Sequence, residues 1–277
     1  MVSRFSASRF WEQAEAGGIT WFSVVPTIIS HLLHGKAEPS AALKAQLRFA
    51  RSASSALAIE TQRAFQDRFG LSIVESLGLT ETAAQCLVNP LNPALHKIGS
   101  AGKAISNEAR IADDSGTECA SGEEGEIQIR GPNVMKEYLK NPEATSDTFQ
   151  DDWLRTGDLG RMDDGGYVYV TGRLKELIIK GGENIAPREI DEALYEHPDV
   201  VEAAAFARPC PQYGERVEAA VRLSEASIAT AEELRALCEE RVGKFKAPEQ
   251  VHILDELPKG PSGKIQRLYL NELLYDA

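Results

Sequence analysis

The segment 76–82 combines hydroxyl groups with a carboxylate, because it reads Ser-Leu-Gly-Leu-Thr-Glu-Thr. The apolar run 71–74 before it predicts a strand, which would present Thr80 and Glu81 at the strand end. Oxygen atoms in this arrangement can hold a divalent cation together with a phosphate, since hard cations prefer oxygen ligands. The same residues fit a helix start, with Thr80 or Thr82 as the cap and Glu81 near the positive helix end. The residues alone leave both interpretations open.

A second cluster, residues 153–160, reads Trp-Leu-Arg-Thr-Gly-Asp-Leu-Gly. An aspartate that follows a glycine in a tight loop can accept two hydroxyl hydrogen bonds, as the acidic residue of dinucleotide sites does from a ribose. Asp158 is therefore a candidate ribose ligand. The alternative is a turn in which this aspartate orders its own backbone.

A third cluster joins Thr-Gly-Arg-Leu-Lys at 171–175 to Lys-Gly-Gly-Glu-Asn at 180–184. Glycines let a backbone approach a ligand closely, and Arg173 can make bidentate contacts. The alternative is a hairpin turn with solvated charges.

A fourth cluster, Leu-Pro-Lys-Gly-Pro-Ser-Gly-Lys-Ile at 257–265, presents lysines between glycines and prolines. A cation on a flexible stem, such as Lys264, suits a phosphate or a carboxylate. The alternative is a solvated basic segment. A Walker phosphate loop is excluded, since Ile265 follows Lys264 where that pattern needs serine or threonine.

Three stretches of chain must position these clusters. From the start to about residue 110, helices at 10–16, 27–34 and 59–69 alternate with strands at 20–25 and 71–74, which predicts a layered α/β domain. Between 99 and 172, short strands such as 126–130 and 167–170 predict a small antiparallel β subdomain.

The third stretch, after residue 173, has β-α-β-β-α-β order. Strands are predicted at 177–180, 200–207, 216–223 and 250–254. One helix begins at Pro187 and ends before Pro198, and another, ending near 242, follows the capping box of Thr230 and Glu233.

Length and composition limit the classes of protein to which this chain can belong. The chain has 277 residues, 43% of them hydrophobic and 26% charged, with a net charge of −12. At roughly 150 residues per domain this predicts two folded domains, and the acidic balance argues against a nucleic-acid partner. Four scattered cysteines without a C-x-x-C pair indicate reduced thiols in the cytoplasm, with no zinc site or disulfide framework. We expect no membrane span and no secretion signal.

Taken together and in this order, the four clusters resemble motifs of the adenylate-forming superfamily, which includes acyl-CoA synthetases, aryl-CoA ligases, luciferases and peptide-synthetase adenylation domains. Residues 76–82 are similar to its Y-G-x-T-E element and 153–158 to its W-x-x-T-G-D element. Residues 126–145 resemble its P-E-A-T segment, 171–187 its hinge, and 257–267 the loop with its catalytic lysine.

The resemblance covers only part of the family fold. Full members also have a Ser/Thr/Gly-rich loop with a lysine that grips the β and γ phosphates of ATP, and these 277 residues contain no such stretch. The resemblance therefore implies an α/β fold in which 1–174 is the C-terminal portion of the AMP-binding large domain. It places the β subdomain at about 99–172, and residues 175–277 form a small mobile α+β lid.

The resemblance also implies roles for single residues. Thr80 would contact the α-phosphate and Glu81 would hold Mg²⁺, while Asp158 would bind both ribose hydroxyls. Lys264 would reach the acyl carboxylate and the α-phosphate as the adenylate forms. The implied nucleotide-binding set is Ser54, Ser55, Ala56, Leu77, Gly78, Leu79, Thr80, Asp158, Arg173 and Lys264.

Lys175 matches the hinge about which the lid would rotate before thioester formation. The implied CoA-binding residues are Gly181, Gly182, Glu183, Tyr213 and Phe245.

Three features depart from the family pattern, and the first is Glu137, at a place that is usually glycine. Leu77 stands where an adenine-stacking aromatic residue is usual, so the base would rest on apolar contacts and on segment 52–57. Ala247 and Glu249 replace basic residues that some aryl-CoA ligases use on CoA phosphates, which leaves the phosphate anchors unassigned.

The sequence thus predicts the C-terminal portion of an ATP-dependent acyl-CoA synthetase that uses Mg²⁺, ATP, CoA and a small carboxylic acid, and that cannot carry out adenylation alone. An apolar pocket wall, expected from 21–29 and 77–86, favours a fatty or aryl acid over a dicarboxylate. The alternative is a non-catalytic adenylate-binding or interaction module that keeps the fold.

Overall fold

A computed structural model describes residues 5–261 and 263–275. Within them the helices are α1 (Phe10–Ala16), α2 (Pro26–His34), α3 (Ala41–Gln46), α4 (Ile59–Phe69), α5 (Pro142–Thr148), α6 (Pro187–Tyr195), α7 (Ala231–Val242) and α8 (Leu270–Tyr275). The first ten strands are β1 (Trp21–Val24), β2 (Phe49–Ser52), β3 (Ile73–Gly78), β4 (Gln85–Val88), β5 (Lys103–Ala104), β6 (Glu108–Ala112), β7 (Glu124–Arg130), β8 (Phe149–Gln150), β9 (Trp153–Met162) and β10 (Val168–Arg173). The last five are β11 (Ile178–Lys180), β12 (Glu183–Ile185), β13 (Val200–Cys210), β14 (Gly214–Leu223) and β15 (Gln250–Ile253). None of the helices in these two described ranges has the length and apolar character that a membrane crossing requires.

The chain forms two compact units, each built from separate stretches of sequence. Unit 1 contains Met1–Ala50, Leu57–Ile73 and Glu176–Ala277, and unit 2 contains Arg51–Ala56 and Val74–Lys175. The chain passes from unit 2 to unit 1 between Lys175 and Glu176, at the expected hinge. The domain bounds 1–174 and 175–277, and the hinge itself, stay predictions.

In unit 1, β11 to β15 form a mixed sheet. Strand β14 pairs antiparallel with β13 along most of its length, antiparallel with β11 and parallel with β15. Apolar side chains of α6 and α7, including Ile190, Leu194 and Leu234, pack with buried residues of these strands. The expected capping box of α7 is confirmed: Glu233 donates its backbone N–H to Thr230 Oγ1 at 3.2 Å, and Thr230 donates its own to Glu233 Oε2 at 2.9 Å.

Unit 1 also contains the first helices, which share an aromatic core. Trp11, Phe22, Phe65 and Phe69 are buried together, and the Phe65 and Phe69 ring centroids lie 4.7 Å apart. Helices α2 and α4 bond to the later part of this unit: the Ser30 hydroxyl donates to the Val201 carbonyl, and the Ile59 N–H donates to Glu192 Oε2 at 3.0 Å.

Unit 2 contains the expected antiparallel β subdomain, in the strand order β10-β9-β7-β6. Its apolar core includes Ile127, Ile129 and Val168. Two expectations about the clusters were wrong. Residues 153–160 form part of the long strand β9 rather than a tight loop, because a register shift between Glu126 and Gln128 absorbs the extra residues as a bulge. Segment 76–82 does not simply follow a strand, since β3 continues to Gly78.

Candidate active site

A 3₁₀ turn of residues Thr80–Thr82 follows β3 and presents Thr80 and Glu81. Thr82 is buried and orders this turn, since its Oγ1 accepts from the Leu79 N–H at 3.1 Å and donates to the Ala84 carbonyl at 2.8 Å. Thr80 is exposed. The Thr82 hydroxyl therefore bonds the local backbone. The Thr80 side chain is exposed beside the Glu81 carboxylate, as contact with a phosphate requires.

Glu81 is held by segment 133–138. Tyr138 donates its phenolic O–H to Glu81 Oε1 at 2.6 Å, and the Met135 N–H donates to the Glu81 carbonyl at 2.7 Å. The hydrogen bond to Glu81, and burial in addition, raise the pKa of Tyr138 above its ordinary value. Sequence reasoning did not single out Tyr138, and only its place in the P-E-A-T segment signalled it.

The surroundings of Glu81 fit a magnesium ion that arrives with a nucleotide. Across 5–261 and 263–275, no three His, Cys, Asp or Glu side chains form a group that could hold a metal. Mg²⁺ commonly binds one or two carboxylates and takes its other ligands from phosphates and water. A single oriented carboxylate beside an exposed hydroxyl suits that mode of binding.

Asp158 and Arg173 form the second part of the candidate site. They lie opposite each other in the register of β9 and β10, and Arg173 Nε donates to Asp158 Oδ1 at 2.7 Å. Asp158 is only 2% exposed, whereas half of the Arg173 side chain is exposed. Strand pairing therefore fixes an ion pair whose arginine remains accessible to a ligand.

Glu126 supports Asp158 from the neighbouring strand. It is buried on β7, where its Oε1 accepts from the Gly157 N–H at 2.9 Å and its Oε2 accepts from Arg155 Nε at 2.7 Å. Thr156 donates its hydroxyl to the Ile127 carbonyl at 2.7 Å. The bulge that carries Asp158 is thereby bonded to β7 through Thr156 and Gly157. Sequence reasoning missed Glu126, although a glutamate within an apolar strand is itself a signal.

The remaining nucleotide candidates are divided between the two units. Ser54, Ser55 and Ala56 are exposed after β2 and belong to unit 2, as do residues 77–81, Asp158 and Arg173. Lys264 belongs to unit 1.

A short hairpin presents Lys264. Lys259 and Ile265 form an antiparallel bridge, the Gly260 N–H donates to the Lys264 carbonyl at 2.9 Å, and the Gln266 N–H donates to the Pro258 carbonyl at 2.8 Å. Thr27 in the first turn of α2 donates its hydroxyl to the Gly263 carbonyl at 3.1 Å. Lys264 is thus presented beside segment 21–29, part of the expected acyl pocket wall.

The structure brings the candidate CoA-binding residues together in unit 1. Gly181 and Gly182 have φ angles of 61° and 91°, a conformation that favours glycine. The Gly181 N–H donates to the Tyr213 carbonyl at 2.8 Å, and Glu183 pairs with Lys180 across the β11–β12 turn.

Lys180, which sequence reasoning did not assign, joins the two aromatic residues of this group. It is 6% exposed. Its Nζ donates to the Phe245 carbonyl at 2.9 Å and lies 5.9 Å from the centre of the Tyr213 ring. Both rings remain partly exposed, as a surface that receives a ligand must.

Arg51 adds a positive charge that the expected apolar wall did not include. Its Nε donates to Ser76 Oγ at 3.1 Å, and Gln85, with its amide oxygen turned toward Arg51, accepts from Nη2 at 2.7 Å. Burial lowers the pKa of the Arg51 guanidinium. Because Gln85 lies within 77–86, this wall combines apolar groups with a fixed cation.

Two family models match the sequence. The model described as AMP-binding enzyme matches residues 1–139, and the one described as AMP-binding enzyme C-terminal domain matches 189–264.

Several curated proteins are similar to this chain over nearly its whole length. Sulfoacetate–CoA ligase of Cupriavidus necator is 50% identical over 98% of this chain and 53% of its own length. Oxalate–CoA ligase of Arabidopsis thaliana is 41% identical over 96% and 52%, respectively. 2-Succinylbenzoate–CoA ligase of Bacillus licheniformis is 37% identical over 95% and 54%. The chain spans about half the length of these relatives.

Solved structures show the same likeness. ATP-bound MatB from Rhodopseudomonas palustris has a TM-score of 0.89 and 31% identity over 100% of this chain and 55% of its own. The o-succinylbenzoate CoA synthetase MenE from Bacillus subtilis, in complex with an acyl-adenylate, has a TM-score of 0.81 and 34% identity over 96% and 54%.

Proposed function

Because this chain belongs to the AMP-binding enzyme family, we propose that it is the carboxyl-terminal part of an ATP-dependent acyl-CoA ligase. In the proposed reaction, a carboxylate oxygen attacks the α-phosphorus of ATP, and the bond to pyrophosphate breaks. The CoA thiol, as its thiolate, then attacks the carbonyl carbon of the acyl-adenylate and releases AMP.

The Asp158–Arg173 pair carries this proposal. A buried aspartate can accept both hydroxyls of a ribose, and an accessible arginine beside it can contact ribose or phosphate. Thr80 and Glu81, in the same compact unit, supply a hydroxyl for the α-phosphate and a carboxylate for Mg²⁺.

The remaining candidate residues would have separate roles in the later steps of the proposed reaction. Lys264 would stabilise the negative charge that develops as the adenylate forms. Gly181 and Gly182 would line the path of the pantetheine thiol, with Tyr213 and Phe245 beside it. Lys175 would serve as the hinge for the change between the two half-reactions.

We also propose that these 277 residues alone cannot form the adenylate, because they contain no Ser/Thr/Gly-rich loop for the β and γ phosphates. Pyrophosphate release from ATP, measured with a panel of carboxylic acids, should stay at background. Sustained release by the isolated chain would overturn this point.

Calorimetric titration with AMP tests the nucleotide site. Asp158→Ala should weaken AMP binding by about 100-fold, because two hydroxyl contacts to a charged group are lost. Asp164→Ala, in an exposed turn of unit 2, is the matched control and should bind as the wild type does. Equal AMP affinity in the Asp158 variant would contradict the proposed site.

A supplied acyl-adenylate distinguishes a ligase from the alternative, a non-catalytic module. The chain should convert acyl-adenylate and CoA to the thioester and AMP, since that half-reaction needs no phosphate-gripping loop. Tight binding of the adenylate without thioester formation would favour the module.

We further propose that the substrate acid carries a second anionic group, unlike the fatty or aryl acid expected from the apolar wall. Sulfoacetate, oxalate and 2-succinylbenzoate, from the names of the three relatives, each contain two acidic groups. Arg51, oriented by Ser76 and Gln85, is a suitable partner because a guanidinium matches the geometry of a carboxylate or sulfonate.

Two sulfamoyl-adenosine analogues, one with a succinyl and one with a butanoyl group, test this substrate class. The chain should bind the succinyl analogue about tenfold more tightly, as one charge-assisted contact allows. Arg51→Met should remove the preference, whereas Arg48→Met, at an exposed position, should keep it. Equal binding of both analogues by the wild type would exclude the role of Arg51.

A further inference from the structure

A buried carboxylate on β13, Glu202, belongs to none of the sites above. It is 1% exposed and contacts two basic groups: Lys259 Nζ lies 2.9 Å from its Oε2, and His31 Nε2 lies 3.0 Å from its Oε1. Burial acts to raise the pKa of Glu202, but the hydrogen bond with His31 and the ion pair with Lys259 outweigh burial and lower it. The carboxylate is therefore held as a charged group in the interior.

Lys259 connects Glu202 to the hairpin that presents Lys264. It lies in the first arm, where it bridges to Ile265, and its side chain is only 16% exposed. A second carboxylate, Glu256, lies 3.7 Å from the same Nζ but is 80% exposed. An exposed ion pair at that distance contributes little to stability, so Glu202 is the anion that holds Lys259 in place.

The same carboxylate reaches the helix on which the hairpin rests. His31 lies on α2, whose first turn bonds the hairpin through Thr27 and Gly263. Arg222 Nη1 also approaches His31 Nε2, at 2.9 Å. Glu202 thus joins the base of the hairpin to α2, while Thr27 joins its tip to the same helix.

We propose that Glu202 is a positioning residue for Lys264, acting through Lys259 and His31 to hold the hairpin against α2. The role of Lys264 toward an acyl-adenylate rests on the proposed function, whereas the anchoring of the hairpin does not. Loss of the Glu202 charge should leave the nucleotide residues of unit 2 intact but release the hairpin.

Hydrogen exchange tests the anchoring without any ligand. The amides of Gly260 and Gln266, which close the hairpin, should exchange about tenfold faster in Glu202→Gln. Lys259→Gln removes the same ion pair from its less buried member and should have the same effect if the first variant folds poorly. Glu256→Gln is the matched control and should change exchange less than about twofold.

Ligand binding tests whether the anchoring acts on Lys264. Glu202→Gln should weaken binding of a stable acyl-sulfamoyl adenosine about tenfold while leaving unchanged the affinity for adenosine, which has neither the phosphate nor the acyl group that Lys264 would contact. In a Lys264→Ala background, adding Glu202→Gln should cost nothing further, because the group being positioned is already gone. Lys259→Arg, which keeps the charge, should restore most of the affinity lost in Lys259→Gln.

The exchange and binding results either support the positioning role of Glu202 or overturn it. Unchanged exchange in both Glu202→Gln and Lys259→Gln would overturn the proposal, as would an equal loss of analogue binding with and without Lys264. If the wild type binds neither AMP nor the analogue, the proposed function fails. Hydrogen exchange alone then decides whether Glu202 anchors the hairpin.

Discussion

At the scale of single residues, the partner of each carboxylate defines what that carboxylate can do. Arg173 holds Asp158 in a strand register, and Tyr138 holds Glu81 at the end of a turn. Glu126 accepts a hydrogen bond from the Gly157 N–H and stabilises the bulge in β9 rather than binding a ligand. Three acidic groups in one unit thus have distinct tasks, set by their neighbours rather than by residue type.

Glu126→Ala should destabilise unit 2 by about 1–3 kcal/mol, because the Gly157 N–H loses its acceptor inside the fold. The ion pair with Arg155 adds little, since that side chain is 42% exposed. Urea unfolding measures the loss. Glu124→Ala on the exposed start of the same strand should change stability by less than about 0.5 kcal/mol, and similar losses in both variants would contradict the role of Glu126.

The raised pKa of Tyr138 leads to a second prediction about a single residue. Glu81→Gln should lower the pKa of this phenol toward its ordinary value, because the carboxylate that accepts its proton as a hydrogen bond is removed. NMR titration of the labelled tyrosine ring carbon follows the change, with Tyr169 as an internal reference whose partner is Asp163. A Tyr138 pKa that does not move would show that burial alone raises it.

At the scale of elements, local signals predicted five of the eight α-helices in the described residues but missed α3, α5 and α8, and they predicted strand continuity poorly. Helices α1 and α4 begin and end at the expected residues, because apolar spacing and the glycines that follow them are local features. The W-x-x-T-G-D segment was expected to be a loop, yet β9 runs through it. Its pairing with β7 and β10 depends on residues far along the chain, and single-segment reasoning cannot include them.

The candidate site shows the same division. Motif order indicated Asp158, Glu81 and Lys264, while the structure was needed to find their respective supports, Glu126, Tyr138 and Glu202. Glu202 and Lys259 are separated by a long stretch of sequence that includes two strands and a helix. Only the folded sheet brings that pair together.

Substitution of Gly102 by alanine would test how closely the backbone at this residue approaches β4 in unit 2. A Cβ there would lie 1.9 Å from the Val88 carbonyl carbon, whereas one at Gly122 would meet nothing within 4 Å, although both residues have positive φ. Gly122→Ala should cost about 1–2 kcal/mol of unfolding free energy from backbone strain alone. Gly102→Ala should cost at least about 2 kcal/mol more, from the clash. Equal losses in urea unfolding would mean that the backbone relaxes around the new methyl group.

At the scale of the whole molecule, two electrostatic effects oppose each other as pH falls. The chain carries a net charge of −12 at pH 7, so mild acidification reduces self-repulsion and favours the folded state. Unit 1, however, buries Glu202 and Glu218 as charged groups in contact with basic partners. Protonation of these two groups removes interactions that only the folded state makes.

The pKa of Glu218 is lowered because hydrogen bonds from Tyr275, His252 and Arg216 outweigh the opposing effect of burial. A folded-state pKa below the unfolded value gives stability that is complete above the unfolded pKa and is lost as pH falls toward the folded one. From about pH 4.5 downward, the free energy of unfolding should therefore fall more steeply in the wild type than in Glu218→Gln, by up to about 1.4 kcal/mol per pH unit.

Glu225→Gln, at an exposed position, is the control for this acid transition, because it changes the net charge by the same amount without breaking a buried contact. Urea unfolding of the three proteins between pH 3.5 and 7 separates the local effect from the global one. Since Glu225→Gln shares the reduced self-repulsion, its pH slope should match that of the wild type. Parallel slopes for Glu218→Gln and the wild type would instead show that the buried cluster does not govern the acid response.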